Sequence, residues 1–242
     1  SRAKSGDPMS RAGLISKGVV DGILALLGLT VFAPLMLLIA VLILITDGRP
    51  IVFQEYRLGR GQQPFMLYKF RTLAVGLEGP LVATGDDPRI HPIGRVLRRY
   101  HIDELPQLVN VVRGDMSLVG PRPMKPEHGQ LVQPMALARL LSVKPGLTGP
   151  DALAFIAEDD CLTGHSAPAT LYAQYLLPEK IRCQLAYIDQ RSFWLDLGWL
   201  YRSLRDVLSP TTYQRSLQNL TRLLPTGWSR IQSSRAPIMP DE

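Results

Sequence analysis

The sequence predicts an α/β protein held at a membrane, with a helical hairpin at its N-terminus and a compact, mostly helical domain that contains a short β-hairpin. Three observations lead to this fold class. An uncharged apolar stretch, residues 22–46, has a proline near its middle. Two short strand patterns follow it and are separated by a glycine-rich turn. Beyond them, apolar residues recur at helical spacing as far as residue 208.

The apolar stretch predicts a membrane segment. A helix over residues 22–46 rises ~1.5 Å per residue and is long enough to cross a hydrocarbon core of ~30 Å. Pro34, which follows Ala33, removes a helical hydrogen bond and favours a break at this point. Basic residues stand on both sides of the stretch, whereas a simple span is basic on its cytoplasmic side only. These residues are Arg2, Lys4, Arg11 and Lys17 before it, and Arg49, Arg57 and Arg60 after it. The pattern favours a hairpin that enters one leaflet and returns, with a single bilayer span as the alternative.

We divide the chain into a flexible N-terminus (1–16), a re-entrant membrane helix (17–47), a cytosolic domain (48–210) and a C-terminal extension (211–242). In the domain, strands are predicted at residues 51–54 and 65–68, joined by the turn 57–61. Helices are predicted at residues 93–100, 105–112, 131–141, 169–175, 178–190 and 195–208. The last of these is amphipathic, with Trp199 and Tyr201 near Arg202 and Arg205. Such a helix suits the headgroup layer of a membrane, and packing on the core is the alternative. One more surface helix fits the extension, which includes Trp228.

Composition limits the classes of function. The 242 residues carry a formal net charge of +6, which suits nucleic acid, anionic lipid or a phosphorylated substrate. No nucleic acid is expected, because the basic clusters lack interleaved aromatics and a membrane segment is present. Cys161 and Cys183 match no metal-binding spacing and are expected to be reduced thiols. The chain has neither a P-loop nor a GxGxxG fingerprint, so ATPase and Rossmann functions find no support.

Two adjacent carboxylates, Asp103 and Glu104, are the strongest candidates for chemistry. They precede the helical pattern 105–112, where the positive end of the helix dipole stabilises anions. A Gly/Pro-rich loop follows, in which Pro121 and Pro123 stiffen the backbone around Arg122. Carboxylates can act as metal ligand, general acid or base, or nucleophile, and most adjacent pairs are only surface charge. Cations that suit phosphate are concentrated in the same half of the chain: Lys69, Arg71, Arg89, Arg95, Arg98, Arg99, Arg113, Arg122 and Lys144.

Ordered motifs from about residue 15 to 208 resemble the monotopic phosphoglycosyl transferases, bacterial sugar transferases that begin glycan assembly on polyprenol phosphate. The motifs are the proline-broken apolar segment, Asp47-Gly-Arg-Pro50, Phe53-Gln54, Arg57-Leu-Gly59, Phe65, Tyr68-Lys-Phe-Arg-Thr72, Asp87-Pro-Arg-Ile90, Gly94-Arg95, Asp103-Glu-Leu-Pro-Gln107, Gly114-Asp-Met-Ser-Leu-Val-Gly-Pro-Arg-Pro123, Lys144-Pro-Gly-Leu-Thr-Gly149 and Ser192-Phe-Trp-Leu-Asp-Leu197. The resemblance favours the re-entrant form of the membrane helix and a small, minimal member of the family.

The resemblance implies transfer of a sugar 1-phosphate from a UDP-sugar to polyprenol (undecaprenyl) phosphate, with release of UMP. In the family, the aspartate of the Asp-Glu pair attacks the β-phosphate and forms a covalent phosphosugar intermediate, near a required Mg²⁺. By position, Asp103 is the nucleophile and lies near the metal, while Glu104 is its acid/base or positioning partner. Arg122, between Pro121 and Pro123, would engage the donor phosphate or nucleotide. Lys69, Arg71, Arg89 and Lys144 are assigned to substrate binding on the same basis.

The implied setting is the lipid of the bacterial inner membrane, with the domain on its cytoplasmic face, at the first membrane step of glycoconjugate, O-antigen or capsule assembly. The sequence does not indicate the donor sugar or the oligomeric state. It departs from the family at three places: Ala33 replaces a frequent serine, Leu73 replaces methionine, and residues 150–155 are unusual. The alternative function is a membrane-anchored nucleotide-sugar-binding protein without turnover, which would not need both carboxylates.

Overall fold

A computed structural model describes Met9 and residues 11–76, 84–207 and 209–224. In these ranges the fold is mostly helical, and its β structure consists of two small two-stranded sheets. The prediction of a mostly helical domain with a short β-hairpin is confirmed. Most of the predicted flexible N-terminus lies outside the described residues, as do residues 77–83 and the C-terminal extension beyond residue 224, including Trp228.

The apolar N-terminal segment forms one helix, α1 (Arg11–Asp47), which begins earlier than predicted and contains Pro34. Thr30 and Thr46 donate their hydroxyls to carbonyls one helical turn earlier, at 2.9 Å, which satisfies both groups within apolar surroundings. Among the described helices, only α1 is long and apolar enough to cross a membrane, judged by length and composition. Its most apolar window has a mean hydropathy of 2.8 and is 11% buried. The predicted apolar helix is confirmed. It continues through Pro34, where a break was predicted, and its re-entry stays a prediction.

An antiparallel hairpin follows, formed by β1 (Val52–Leu58) and β2 (Pro64–Phe70). Both strands are longer than predicted. Gly61 adopts a φ of +66° in the connecting turn, which glycine tolerates without strain. Side chains of directly paired residues lie on the same face of a hairpin, and Phe65 and Leu67 bury one face in the core.

The other helices are short until the C-terminal third of the chain. In order they are α2 (Pro92–Arg99), a 3₁₀ helix (Ile102–Gln107), α3 (Leu108–Arg113), α4 (Pro126–Gly129), α5 (Pro134–Leu140), α6 (Pro150–Ala154), α7 (Glu158–Cys161), α8 (Pro168–Leu171), a π-helical turn (Tyr172–Leu176), α9 (Leu177–Gln190), α10 (Phe193–Asp206) and α11 (Pro210–Leu223). The helix predicted at 131–141 begins later, because proline favours the first helical position and fixes the start of α5. The helix predicted at 105–112 begins as a 3₁₀ helix that contains Pro106.

A second, parallel sheet was not predicted. It pairs β3 (Ser117–Val119) with β4 (Gly146–Thr148) and so joins the Gly/Pro-rich loop to the segment that begins at Lys144. A Cβ atom on Gly146 would lie only 2.1 Å from the backbone nitrogen of Gly120. Glycine at position 146 is therefore required for this close approach.

The domain packs around three groups of buried apolar side chains, and α1 contributes to two of them. The main core combines the hairpin, α3, β3, α5 and α9, and Ala25 of α1 joins it. A second core lies beneath α11, centred on Cys161 and Leu176. A third joins Ile39 and Ile43, from the second half of α1, to β2 and α2. Residues on both sides of Pro34 thus pack on the same domain.

Candidate active site

Asp103 and Glu104 lie in the 3₁₀ helix that leads into α3, and one buried asparagine fixes this unit to the hairpin. Asn110 donates from Nδ2 to the Met66 carbonyl at 2.7 Å, and its Oδ1 accepts from the Tyr68 amide at 3.2 Å. The side chain therefore takes the place of a neighbouring strand along β2. This bond brings the start of α3 against the end of β2, where Lys69 stands.

The Glu104 carboxylate is held between two cations. Lys69 Nζ lies 2.7 Å from its Oε1, and the Arg122 guanidinium contacts both carboxylate oxygens, with Nη1 at 3.2 Å from Oε2. Burial by itself would raise the pKa of Glu104, but Arg122 and then Lys69 outweigh it and hold the pKa well below its ordinary value. Glu104 is thus a permanent anion whose two oxygens are already engaged.

Asp103 is buried like Glu104, but among the described residues its carboxylate lacks the ion pairs that hold Glu104. Its residue is 7% exposed, and in the described part of the chain no hydrogen-bond or ion-pair partner is found for its carboxylate. Burial is the main cause that raises the pKa of Asp103 to about 6; the charge of Lys69 opposes this shift, and the charge of Glu104 adds to it. At neutral pH the Asp103 carboxyl is therefore mostly ionised, and within the described residues no protein group pairs with it. A carboxylate of this kind can attack an electrophile or bind a metal.

The Pro-Arg-Pro loop owes its position to the parallel sheet. The Pro121 carbonyl accepts from the Gly146 amide at 2.8 Å, and the Pro123 carbonyl accepts from Arg57 Nη1 at 3.2 Å. Both flanks of Arg122 are therefore anchored, and its guanidinium is aimed at Glu104. The charge of Glu104 is the main cause that raises the pKa of Arg122, which remains a cation at every pH of interest.

Two other predicted substrate-binding cations, Arg71 and Arg89, are engaged elsewhere, and a third, Lys144, lies beside Gly114. Arg71 is 4% exposed and donates from Nη2 to the carbonyls of Asp47 and Gly48, at 2.8 and 3.0 Å, so it caps the end of α1. Arg89 is ion-paired with Asp87 at 2.6 Å. The Lys144 ammonium lies beside Gly114, at the opposite end of α3 from the carboxylate pair. Of the predicted cations, the structure brings Lys69 and Arg122 to the pair.

The sequence that forms this site matches a known family. A family model described as bacterial sugar transferase matches residues 12–210. The chain belongs to the bacterial sugar transferase family. The match covers α1, the hairpin, the carboxylate pair and the Pro-Arg-Pro loop, so the site described above lies within the family's shared region.

Three curated relatives of this sugar transferase are named as undecaprenyl-phosphate transferases. It is 38% identical, over 213 residues, to the UDP-glucose:undecaprenyl-phosphate glucose-1-phosphate transferase of Caulobacter vibrioides, covering 85% of this chain and 75% of that protein. It is 34% identical to the UDP-N-acetylgalactosamine-undecaprenyl-phosphate N-acetylgalactosaminephosphotransferase of Aeromonas hydrophila, covering 81% and 44%. It is 32% identical to the UDP-glucose:undecaprenyl-phosphate glucose-1-phosphate transferase of Escherichia coli, covering 78% and 39%. The chain thus spans less than half the length of two of these relatives. Its family and these relatives place it in the transferase class of enzymes.

Sequence reasoning about this sugar transferase missed a second charged group next to the loop. Glu55 of β1 is ion-paired with Arg57 and with Lys125, whose Nζ lies 2.8 Å from its Oε1. Arg57 was placed in the turn of the hairpin and given no role in binding. Strand alternation could have predicted this group, because Glu55 and Arg57 are two residues apart on one strand and their side chains therefore lie on the same face.

Magnesium was predicted, and the side chains fit it only in part. The described residues contain no group of three or more His, Cys, Asp or Glu side chains that would hold a metal ion. Mg²⁺ is commonly bound by one or two carboxylates together with substrate phosphates, however, and does not need a cage of protein ligands. Asp103 offers one such carboxylate beside the expected position of a diphosphate.

Proposed function

We propose that this protein transfers a sugar 1-phosphate from a UDP-sugar to polyprenol phosphate, releases UMP, and begins assembly of a membrane-borne glycan. The relatives named above act on UDP-sugars and undecaprenyl phosphate, and they support this donor and this acceptor. The observation that carries the proposal is the contrast within the carboxylate pair. Glu104 is committed to Lys69 and Arg122, whereas Asp103 is buried, ionised at neutral pH and free to react.

In the first half of the proposed reaction, an oxygen of Asp103 attacks the β-phosphorus of the donor. A bond forms between that oxygen and phosphorus, and the bond from phosphorus to the bridging oxygen breaks. UMP leaves with the electron pair, and the sugar phosphate stays on Asp103 as an acyl phosphate. Lys69 and Arg122 offset the charge that accumulates around phosphorus, which is the main requirement of phosphoryl transfer.

In the second half, a phosphate oxygen of the lipid attacks the same phosphorus. The bond to Asp103 breaks, the carboxylate is regenerated, and the lipid carries a diphosphate-linked sugar. Splitting the reaction into two steps means that the anionic donor and the anionic acceptor need not be bound together. A Mg²⁺ ion held by Asp103 and the donor phosphates would supply further charge neutralisation.

The geometry favours a positioning function for Glu104 over acid/base work. Its pKa is held well below the ordinary value and both of its oxygens are engaged, so it is a poor carrier of protons. Its function in the proposed reaction is to hold Lys69 and Arg122 at a fixed separation beside Asp103.

We propose that α1 re-enters the inner membrane from the cytoplasmic face. Lys17, before the apolar stretch, is ion-paired with Asp196 at 2.8 Å, and Asp47, after it, accepts from Arg71 through its carbonyl. One folded domain therefore holds both ends of the helix, and a domain cannot lie on two sides of a bilayer. Between these ends the residues around Pro34 are exposed and apolar, as a segment buried in one leaflet requires.

Helix α10 supports the same placement. Leu195 and Trp199 pack on the main core, so core packing, the alternative given for this helix, describes one of its faces. Trp194 and Tyr201 on the other face are 77% and 64% exposed. Aromatic side chains exposed beside arginines favour the headgroup layer of the membrane, which would lie against α10.

Trapping the intermediate tests the proposed chemistry. The purified protein is incubated with Mg²⁺ and a panel of radiolabelled UDP-sugars without lipid acceptor. We expect label on the protein from at least one donor, its discharge by polyprenol phosphate, and loss of both in Asp103→Asn. Asp189→Asn, an exposed aspartate paired with Arg139, is the matched control. Full turnover by Asp103→Asn would sink the nucleophile assignment, and nucleotide-sugar binding without turnover would favour the non-enzymatic alternative.

A further inference from the structure

The charged group on β1 repeats the arrangement that surrounds Glu104. There, one carboxylate is shared by Lys69 and Arg122. On β1, Glu55 is shared by Arg57 and Lys125. In each triplet two cations meet one carboxylate, which leaves one unit of positive charge without a counter-charge inside the triplet.

The two triplets lie along one face of the hairpin. Arg57 pairs with Phe65 across the two strands, and Phe53 pairs with Lys69. Glu55, Arg57 and Lys69 therefore project from the same face, with Arg57 at the turn end and Lys69 at the open end. Four residue steps of ~3.3 Å place their backbones about 13 Å apart, and both side chains are long enough to reach inward.

The Pro-Arg-Pro loop crosses between the triplets and contributes one cation to each. Arg122 reaches Glu104, and Lys125 reaches Glu55. Arg57 also donates to the carbonyl of Pro123 at 3.2 Å, in the middle of this segment. The loop thus holds two cationic positions side by side, at a spacing set by three residues of backbone.

The second triplet holds more positive charge than is needed to neutralise Glu55. One cation would neutralise Glu55, yet two are present, and their side chains are only 16% and 22% exposed. Burial is the main cause that lowers the pKa of Arg57. The charge of Glu55 opposes this shift, and the nearby charge of Arg122 adds to it. Such uncompensated, partly buried cations are expected where an anion binds.

We infer that Arg57 and Lys125 bind the phosphate of the donor that leaves with the nucleoside, while Lys69 and Arg122 bind the phosphate that Asp103 attacks. This inference rests on the proposed function, because it divides the diphosphate of a nucleotide sugar between two adjacent subsites. Two fixed cationic positions match two linked phosphates better than they match one.

Position relative to α1 decides which subsite takes the nucleotide. Beyond Lys69, β2 leads to Arg71, which caps the end of α1 where the chain leaves the apolar helix. The subsite at Lys69 is therefore the one that a lipid phosphate reaches. Arg57 lies at the other end of the hairpin, farther from that point, so it is suited to the water-soluble nucleotide.

The test separates the two half-reactions and adds a binding measurement that needs no turnover. Calorimetric titration of the detergent-purified protein with UMP reports on the second subsite directly. We expect Lys125→Met to weaken UMP binding about tenfold, the effect of losing one charged hydrogen bond, and to slow capture of label from the UDP-sugar. Transfer of label from an isolated labelled protein to polyprenol phosphate is expected to be unchanged, because the nucleotide has already left.

Two variants exclude loss of folding as the cause. Lys125→Arg keeps the charge and is expected to restore UMP binding to within a few-fold of the native protein. Arg139→Met removes a cation that pairs with Asp189 on the surface and is expected to change neither measurement. Unchanged UMP binding in Lys125→Met would overturn the inference, as would a defect confined to transfer to the lipid. Absence of label on the native protein while UMP still binds at Lys125 would count against the proposed reaction and not against this subsite.

Discussion

Lys69 on β2 and Glu104 in the 3₁₀ helix lie 2.7 Å apart, and this ion pair joins the hairpin to the element that carries Asp103. Arg122 completes the group from the other side. The side chains of Glu104 and Lys69 are 8% and 19% exposed, so their interaction is only weakly screened by solvent. The position of the reactive carboxylate thus depends on the charge of its neighbour.

Replacing Glu104 tests this dependence. Glu104→Gln leaves Lys69 and Arg122 side by side without a counter-charge. Removing one partner of a buried ion pair costs about 3–5 kcal/mol, and because Arg122 is about a third exposed we expect about 2 kcal/mol here. The thermal midpoint should fall by about 4–8 °C, and capture of label should fall about 100-fold. Glu179→Gln, which breaks an exposed pair with Arg182, is the control; equal effects of the two changes would contradict the prediction.

The pKa of Asp103 predicts the acid limb of the activity. The carboxylate must be ionised to attack phosphorus, and burial raises its pKa to about 6. The rate of capture should therefore fall tenfold for each pH unit below about 6, and should be nearly constant between pH 7 and 8. Single-turnover measurements across pH 4.5–8 check this. An acid limb near pH 4 would contradict the prediction, because it would show that the Asp103 carboxyl keeps an ordinary pKa in the reacting complex.

The same shift has a consequence for stability. Because the folded-state pKa of Asp103 lies above its ordinary value, the folded protein binds the proton more tightly than the unfolded chain between pH 4 and 6. The native aspartate therefore lowers stability as pH rises through this window. Asp103→Asn should raise the thermal midpoint relative to the native protein more at pH 7.5 than at pH 5, because at pH 5 the folded carboxyl is still largely protonated and only part of the stability has been lost. An equal change at both pH values would contradict the prediction.

Sequence reasoning located the carboxylate pair, Lys69 and Arg122, because each belongs to a motif in which residue type and spacing are both informative. It assigned Arg71 to the substrate because Arg71 belongs to the same family motif as Lys69. If β2 continued, strand alternation would place Lys69 and Arg71 on one face. The strand ends at Phe70, however, and the Arg71 side chain contacts the end of α1. The pairing of β3 with β4 was missed because three-residue strands have too little periodicity to detect. Such contacts depend on tertiary packing, which a local pattern does not contain.

Arg71 offers a test of structural against substrate-binding function. It caps α1 through two carbonyls, and hydrogen bonds from a charged group are worth about 1.5–3 kcal/mol. Arg71→Met should lower the thermal midpoint by several degrees and leave the apparent Kd for UMP within twofold of the native value. Arg71→Lys should recover little, because one ammonium cannot reproduce the geometry of the guanidinium. Weakened UMP binding without loss of stability would restore the predicted function in substrate binding.

The first turns of α1 contain a buried ion network that should behave as a unit. Lys17 lies 2.8 Å from Asp196 and 3.2 Å from Asp21, and Tyr187 donates its hydroxyl to Asp196. Lys17→Met leaves two buried carboxylates without their cation and should cost about 3 kcal/mol. Adding Asp196→Asn should recover about half of that loss, since it removes one of the stranded charges. Additive losses in the double variant, measured by thermal unfolding in detergent, would show that Lys17 and Asp196 contribute independently.

Labelling of introduced cysteines tests the re-entry of α1. The native thiols give little background: burial raises the pKa of Cys161 to about 12 and that of Cys183 to about 11, so thiolate is scarce at pH 7. Ile15→Cys and Arg49→Cys place exposed thiols near the two ends of the helix. Because the domain binds both ends, an impermeant maleimide should label both from the cytoplasmic face and neither from outside. Labelling from opposite faces would restore the single span. Pro34→Leu, which returns the missing helical hydrogen bond, should move part of the Ile15→Cys population to the outer face.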